Sequence, residues 1–359
     1  MTTPVPAGAP GRLAVGLSGV RPGRTGWLVI AGVVSLVIAF IAGVALGSVD
    51  LPPTTTIGIL LHRLGFGVPV TWPPSAEAIV IDLRLPRVLT AMLVGAGLAV
   101  AGATFQGLLR NPLADPYVLG TASGAALGAA IAVLIPARGL VLQFGLLNGL
   151  AFIGALLSVT VVYRLSRTSA LAPLTSLLLT GYAVGSLLAA GLAMAMYVSG
   201  SGLRQIFAYL LGGFDGTSWV RLAVAAPLIL VGSALIIARA RALNGFLLGE
   251  EAAAHLGVDV RRERAILLGL ASLVTAAGVA IAGLIGFVGL VVPHVVRLLV
   301  GPNARLVLPI SMLFGASFLA VADLVARMFG GVPVGVITAI IGAPFFLLLL
   351  RRARTGYEL

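Results

Sequence analysis

The feature that most constrains this chain is a series of long apolar segments that carry almost no charge. A hydrocarbon core about 30 Å thick is crossed by a helix of about 20 apolar residues. Ten segments of about that length follow one another, at 27–47, 88–109, 118–134, 140–163, 177–198, 222–238, 265–283, 284–299, 306–325 and 332–350. Because a backbone in lipid must satisfy its own hydrogen bonds, the pattern predicts an all-α polytopic membrane protein of about ten transmembrane helices.

Composition agrees with this prediction and excludes several other classes of protein. Only 9% of the 359 residues are charged and the mean hydropathy is +1.13, which excludes a water-soluble globular domain of this size. The net charge of +12 does not indicate nucleic-acid binding, because the basic residues are scattered between apolar runs. The absence of cysteine excludes disulfides and thiolate metal sites.

The distribution of arginine predicts the orientation of the segments. If the N-terminus is cytoplasmic, sixteen arginines fall on the inner side and seven on the outer side, as the positive-inside rule requires. Both termini are then cytoplasmic. Residues 1–25 are rich in Pro and Gly and are interpreted as a disordered cytoplasmic tail, followed by a membrane domain at 26–359.

Two charged motifs lie near the predicted outer surface. Arg84 and Arg87 are separated by Leu-Pro and are expected to face the same way, which suits capture of carboxylates on a partner. The alternative is that both side chains only reach for the lipid interface. Asp323 lies four residues before Arg327, so the two can pair along one helix face.

Two connections on the predicted inner side have more pattern than a plain loop. The segment 106–124 contains Asn-Pro and Asp-Pro steps within five residues, which predict a shaped non-helical connection or simply a structural turn. The segment 243–264 contains Glu250 and Glu251 at the start of a predicted short helix that Gly257 ends. Such a helix can meet a soluble partner or lie on lipid.

The sequence contains no pattern for chemistry of its own. It lacks a zinc-ligand spacing, a nucleophile elbow and a phosphate-binding loop, so we predict no catalytic residue, no metal site and no bound cofactor. His294 lies in an apolar run and is interpreted as a hydrogen-bonded packing residue rather than a proton relay, since no second His or carboxylate is near in sequence.

Six motifs, in order, resemble the FecCD family of ABC importer permeases, which includes permeases for cobalamin, ferric siderophores and haem. They are RLPR at 84–87, NPLADPYVLG at 111–120, LGEEAAAHLG at 248–257, GFVGLVVPHVVR at 286–297, ADLVAR at 322–327 and PVGVITAIIGAPFF at 333–346. The resemblance runs from about residue 27 to the end. It favours the functional interpretations of RLPR and of the proline turns.

The resemblance implies a type II ABC importer permease fold that dimerises, as a homodimer or with a paralogue, around a central pathway. Two partner ATPase subunits would bind ATP and Mg, an extracytoplasmic binding protein would deliver the cargo, and the chain itself would be no enzyme. The location implied is the bacterial cytoplasmic membrane. The cargo expected is a ferric siderophore, with haem and cobalamin as alternatives.

The resemblance also implies roles for individual residues. The implied contacts with the binding protein are Arg84, Arg87 and Arg327. The implied cytoplasmic gate consists of Asn111, Leu113, Thr175 and Ser176. The implied contacts with the ATPase are Gly249, Glu250, Glu251, Ala252, Leu256 and Gly257.

One departure from the family and two rival functions complete the sequence analysis. Gly331 stands where relatives commonly have an acidic residue, so a possible partner of Arg327 is missing. An ion-coupled secondary transporter would be expected to hold carboxylates near the midplane, and the predicted spans contain only Asp323, close to an end. A membrane scaffold without transport activity is the other alternative.

Overall fold

The structure is a computed structural model that describes residues 22–136, 140–166 and 173–354. Over those residues it is built from α-helices with short π and 3₁₀ turns and contains no β-strand. The helices are α1 (Pro22–Ala45), α2 (Pro53–Arg63), α3 (Pro74–Ala78), α4 (Leu85–Leu108), α5 (Thr121–Leu134), α6 (Leu140–Ser166), α7 (Pro173–Val198), α8 (Leu203–Leu211), α9 (Trp219–Ala238), α10 (Ala240–Leu247), α11 (Glu250–His255), α12 (Val260–Ala282), α13 (Val288–Val300), α14 (Ala304–Met328) and α15 (Val334–Arg354).

The apolar helices correspond one to one with the ten predicted segments. Seven spans in the described chain are long and apolar enough to cross a membrane. They correspond to α1, α4, α6, α7, α9, α12 and α14. The other three apolar helices, α5, α13 and α15, are shorter. The prediction of an all-helical polytopic fold with about ten apolar helices is therefore confirmed.

The first helix begins earlier than predicted. It starts at Pro22, four residues before the predicted boundary of the membrane domain at 26. Proline suits the first turn of a helix because the amide hydrogen that it lacks has no partner there. The remainder of the predicted tail, 1–21, lies outside the described residues.

Helix α4 forms the centre of the bundle and is surrounded by α9, α12, α13 and α14. The apolar stretch of the span to which it belongs is 94% buried, a larger share than in any other of the seven spans in the described chain. Gly102 in α4 lies so close to α13 that an added Cβ would overlap the carbonyl oxygen of Gly289. Helices in lipid associate through such close packing of small residues, and the contact leaves no room for a side chain at Gly102.

The chain between α12 and α13 is not helical, although it lies inside the bundle. Tyrosines satisfy its backbone: the Tyr117 hydroxyl donates to the Ile285 carbonyl oxygen at 3.0 Å, and the Tyr209 carbonyl oxygen accepts from the Leu284 amide at 3.2 Å. Phe287 has a φ of 69° and begins α13. Irregular backbone at membrane depth requires such protein partners, and α13, only 13 residues long, therefore starts well inside the bundle.

Candidate functional site

Charged side chains gather where α1 ends, α4 begins and α14 ends. We call this group the arginine cluster and define it as Arg84, Arg87, Asp215, Asp323 and Arg327. Helix α4 leads from the cluster to the far end of the bundle, where Gly107 packs on Leu243 of α10. The cluster and the segment that contains α10 and α11 therefore lie at opposite ends of the molecule.

Asp323 is the buried centre of the cluster. Its carboxylate accepts hydrogen bonds from Arg87 Nε at 3.0 and 3.1 Å and from Arg87 Nη2 at 2.8 Å. Arg327 Nε lies 3.1 Å from the other carboxylate oxygen, so the predicted pairing of Asp323 with Arg327 along α14 is confirmed. A buried carboxylate needs this degree of compensation, because removing a charge from water without a partner costs several kcal/mol.

Arg84 and Arg327 hold the C-terminal end of α1. Arg84 Nη1 donates to the carbonyl oxygens of Val44 and Ala45 at 3.0 and 2.7 Å, and its Nη2 donates to Val49. Arg327 donates to Gly43 at 2.9 Å and to Leu46 at 3.2 Å. The last carbonyl groups of a helix lack intrahelical partners and carry partial negative charge, so two guanidinium groups at this end are favourable.

Arg84 and Arg87 make different contacts despite their spacing of three residues. A π-helix, Ile79–Arg84, runs directly into α4, and Arg84 points to α1 whereas Arg87 points to Asp323 and Asp215. Arg84 is only 5% exposed. The two side chains are thus already engaged, a state that the spacing of RLPR does not reveal.

A cavity of about 290 Å³ opens at the arginine cluster. Its lining includes Arg84, Arg87 and Arg327 together with Ser48 from the chain after α1 and Thr217 from the chain before α9. The cluster has three cations and two carboxylates, of which Asp215 lies at the surface. The cavity therefore has an excess of positive charge and suits an anionic group.

The glycine that departs from the family pattern has a backbone reason. Gly330 and Gly331 have φ values of 81° and 79°, a conformation in which side chains are strained. The Gly331 amide returns to the Ala326 carbonyl oxygen at 3.0 Å and closes the turn after α14. Without a carboxylate at position 331, Arg327 pairs with Asp323 and donates to carbonyl groups at the end of α1.

At the opposite end, α11 begins at Glu250 as predicted, and Gly249 and Gly257 lie on either side of it. Glu250 forms an ion pair with Arg264 of α12. Glu251 is exposed and Ala252 is half-buried. Leu256 is 66% exposed, which leaves an apolar side chain at the surface beside a helix that one ion pair joins to α12. The arrangement leaves part of α11 and the apolar side chain of Leu256 at the surface.

The predicted gate residues lie at the starts of two segments. Asn111 Oδ1 accepts from the Leu113 amide at 2.9 Å, so the first proline step is a turn closed by its own side chain. Leu113 is half-buried. In α7, Thr175 is exposed, whereas Ser176 is buried and donates to the Ser166 carbonyl oxygen at 2.9 Å.

Asp115 starts the short 3₁₀ helix that follows this turn. Its Oδ1 accepts from the Tyr117 amide at 2.8 Å. Burial raises the pKa of Asp115 to about 6, although the bond from Tyr117 opposes the shift. This carboxyl group, which the sequence analysis noted only as part of an Asp-Pro turn, therefore keeps its proton to a higher pH than an ordinary aspartate does.

His294 packs against another aromatic ring, with the ring centroids of His294 and Phe345 6.2 Å apart. Within the part of the chain that the structure describes, neither ring nitrogen has a hydrogen-bond partner. The interpretation as a packing residue is thus supported, but the hydrogen bond expected with it is not found there. The described residues also contain no group of three His, Asp or Glu side chains that could hold a metal ion.

Sequence reasoning missed Asp215, Tyr117 and Tyr209. Asp215 lies between glycines in the segment LGGFDGTSW, and only the tertiary structure brings it to Arg87. The two tyrosines lie in apolar surroundings and bond to backbone groups between 70 and 168 residues away. A polar aromatic residue within an apolar run was the one available signal.

Comparisons with known proteins show the family and the fold to which this chain is similar. The model of the FecCD transport family matches residues 35–352. A cobalamin import system permease of Halobacterium salinarum is 48% identical over 80% of this chain and 76% of its own length. A hemin transport system permease of Yersinia pestis is 42% identical over 76% of this chain and 83% of its own length. A solved inward-facing structure assigned to the metal-chelate type of ABC transporter superposes with a TM-score of 0.79 at 30% identity and covers 91% of this chain and 99% of the other.

Proposed function

This chain belongs to the FecCD transport family and is an ABC importer permease, and from that premise we propose that it carries a bulky metal chelate into a bacterial cell. A binding protein delivers the chelate to the arginine cluster. The chelate passes between this chain and a second permease subunit, and two ATPase subunits dock at α11. The arginine cluster faces the outside of the cytoplasmic membrane, and both termini are cytoplasmic.

The observation that supports this proposal is that two different surfaces, each with features suited to a protein partner, lie at opposite ends of α4. One end has a cationic cavity lined by three arginines, which suits an acidic protein surface. The other end has α11, fixed by the ion pair of Glu250 with Arg264 and flanked by the exposed Leu256. A rigid helix of this kind can transmit the movement of ATPase subunits to the bundle as a rigid body.

The second permease subunit would cover α7. The span that contains α7 is only 11% buried, the least of the seven spans in the described chain. Large side chains such as Tyr182 and Tyr197 lie exposed along it. Helix α15 and α8 border an open apolar groove of about 660 Å³ on the same chain. Two such subunits would enclose a pathway with few charges to retain a cargo.

A ferric chelate is the first candidate cargo and cobalamin is the second. The hemin permease of Yersinia pestis supports an iron-containing cargo. The 48% identity with the cobalamin permease of Halobacterium salinarum supports cobalamin as the alternative. The described part of this chain has no cluster of metal-ligating side chains, so the binding protein would select the cargo.

The rival function of an ion-coupled secondary transporter is less well supported. Such transporters use carboxylates near the midplane to bind the coupling ion. Asp323 lies close to the end of α14, and Arg87 and Arg327 already neutralise its charge. It is thus poorly suited to bind and release an ion.

Uptake measurements test the proposal. Iron-limited cells with and without this gene would be given labelled ferric siderophore, labelled hemin or labelled cobalamin. We expect loss of one cargo in the deletion strain and recovery with the wild-type gene. Uptake that survives ATP depletion but fails when the ion gradient collapses would contradict an ABC importer. Unchanged uptake of all three cargoes would contradict the cargo classes that we propose.

A further inference from the structure

Arg87 divides its hydrogen bonds between a buried carboxylate and an exposed one. Its Nε and Nη2 bond to Asp323, whose side chain is 1% exposed, whereas its Nη1 bonds to Asp215 at 2.7 Å. The Asp215 side chain is 84% exposed. One edge of the same guanidinium group is therefore fixed in the interior and the other faces solvent.

The loop that carries Asp215 is held firmly at its base. Phe214 is fully buried, and the Gly213 amide donates to the Ala282 carbonyl oxygen at 2.8 Å. The Thr217 hydroxyl donates to the Phe214 carbonyl oxygen at 2.9 Å and closes the turn. Only the Asp215 side chain projects from this frame, so it can leave Arg87 by rotation about its own bonds while the loop stays in place.

The two bonds of Arg87 differ in strength for a physical reason. An ion pair in solvent contributes little, because water and salt screen it and because it restricts two side chains. A buried pair is costly to break, because the remaining charge is left without compensation. The bond from Arg87 to Asp215 is thus the one that another carboxylate can replace, while Asp323 keeps the guanidinium group in position.

The surroundings favour a carboxylate from outside. Phe214, Gly216 and Thr217 of the Asp215 loop line the same cavity of about 290 Å³ as Arg84 and Arg87. When Asp215 rotates away, Arg87 Nη1 points to a cavity that also contains Arg84 and Arg327. An acidic side chain that enters the cavity gains the charge-assisted bond that Asp215 gives up.

We propose that Asp215 is an internal competitor that occupies Arg87 in the free permease and that a carboxylate of the docking protein displaces it. The proposal rests on the proposed function of the cluster as a docking surface. Asp215 thereby sets a threshold: a surface with too few acidic side chains fails to open the Arg87 edge. The residue acts on the selection of the partner and does not touch the cargo.

The absence of cysteine from the chain allows a direct test on the purified full-length protein in nanodiscs. Ser48→Cys places one thiol in the lining of the cavity, and its rate of modification by a neutral maleimide reports on occupancy. The probe is the peptide acetyl-Glu-Glu-Glu-amide, and acetyl-Gln-Gln-Gln-amide is the neutral control. We expect the acidic peptide alone to slow modification, and Asp215→Asn to lower its half-protecting concentration about threefold.

The matched control is Asp82→Asn, which removes an exposed negative charge from the same end of the molecule but not a partner of Arg87. We expect this variant to behave as the parent does, and Asp215→Glu to behave likewise. Equal effects of Asp215→Asn and Asp82→Asn would overturn the proposal, since general charge would then explain the change. Absence of protection in every variant would also overturn it. The two failures can be distinguished: equal effects with protection retained count against Asp215 alone, whereas absence of protection in every variant counts against the docking surface itself.

Discussion

At the scale of single residues, the three arginines of the cluster differ in how deeply they are buried and in the groups to which they bond. Arg84 and Arg327 are almost completely buried and bond to the carbonyl groups at the end of α1. Of the three, Arg87 is the one that pairs with a carboxylate open to solvent. Substitution of the three arginines should therefore separate folding from docking.

Arg84→Gln should destabilise the protein by about 2 to 4 kcal/mol, because the shorter neutral side chain leaves carbonyl groups of α1 without donors. The temperature of unfolding in detergent measures this. Arg63→Gln is the control, since Arg63 pairs with Glu77 at the surface and should contribute less than about 1 kcal/mol. Equal shifts for both variants would contradict the structural role of Arg84.

Asp115→Asn should stabilise the protein above pH 6 and have little effect near pH 4. Burial raises the pKa of Asp115 to about 6, so ionisation in the folded state costs free energy that unfolding releases. Stability associated with the protonated carboxyl is complete below its unfolded pKa and declines as the pH rises through 6.

The gain at pH 8 for Asp115→Asn should be at most about 3 kcal/mol. Asparagine preserves the bond from the Tyr117 amide, because its side-chain oxygen also accepts. Unfolding temperatures of the variant and the wild type between pH 4 and pH 8 provide the measurement. A difference that does not change with pH would show that the charge of Asp115 is not responsible.

At the scale of elements, α11 lies at the surface of the molecule, whereas the contact of α4 with α13 is buried in its interior. Helix α11 has six residues and depends on its neighbours for stability, with Ala253 buried against Gly245 of α10. The contact of α4 with α13 is backbone against backbone at Gly102 and Gly289. The first is the proposed docking surface for the ATPase and the second is part of the interior.

Leu256→Asp should lower uptake at least about tenfold in the proposed importer, because an apolar anchor in a protein interface contributes up to several kcal/mol. Leu256 is exposed, so the folded permease should remain at its normal level in the membrane. Leu64→Asp, at the exposed chain beyond α2 at the opposite end, is the control. Recovery of the ATPase with affinity-purified permease gives a second measurement, and normal recovery with Leu256→Asp would contradict the role of α11.

Gly102→Ala should prevent normal assembly of the bundle, because its Cβ would overlap the Gly289 carbonyl oxygen and neither backbone can move aside cheaply. Gly269→Ala in α12 is a matched control, since an added Cβ there has no atom within 4 Å. Alanine favours a helix over glycine by up to about 1 kcal/mol, so the control should be neutral or slightly stabilising. Membrane levels and unfolding temperatures of the two variants distinguish them.

The ten apolar helices and α11 could be predicted because their signals are local: hydropathy, charge and the residues at helix ends. The pairing of Arg327 with Asp323 could also be predicted, because four residues separate them along α14. The other partners of Arg84 and Arg327 could not, because they are backbone carbonyl groups that any sequence would supply. The pairing of Arg87 with Asp215 spans 128 residues and depends on the packing of α4 against its neighbours. The π-helix before α4 also leaves no mark in the spacing of RLPR.

At the scale of the whole molecule, α7 lies at the edge of the bundle with most of its surface uncovered. Because the chain contains no cysteine, single introduced cysteines can test whether a second permease chain covers α7. Leu187→Cys in the middle of α7 should crosslink to a second permease chain in membranes, since Leu187 is 73% exposed. Ile38→Cys on α1, exposed in a similar way, should not. Mass spectrometry of the product identifies the partner chain, and equal crosslinking at both positions would contradict an interface at α7.

The bonds from Arg84 and Arg327 to the end of α1 form at different times while the protein is being synthesised. The carbonyl groups at the end of α1 leave the ribosome 40 residues before Arg84 and 284 residues before Arg327. During insertion this end of α1 can therefore first bond to Arg84. Its bonds to Arg327 can form only after nearly the whole chain has been synthesised. Its final tilt is set late, and a nascent chain truncated before α14 should leave α1 free to tilt and accessible to proteases.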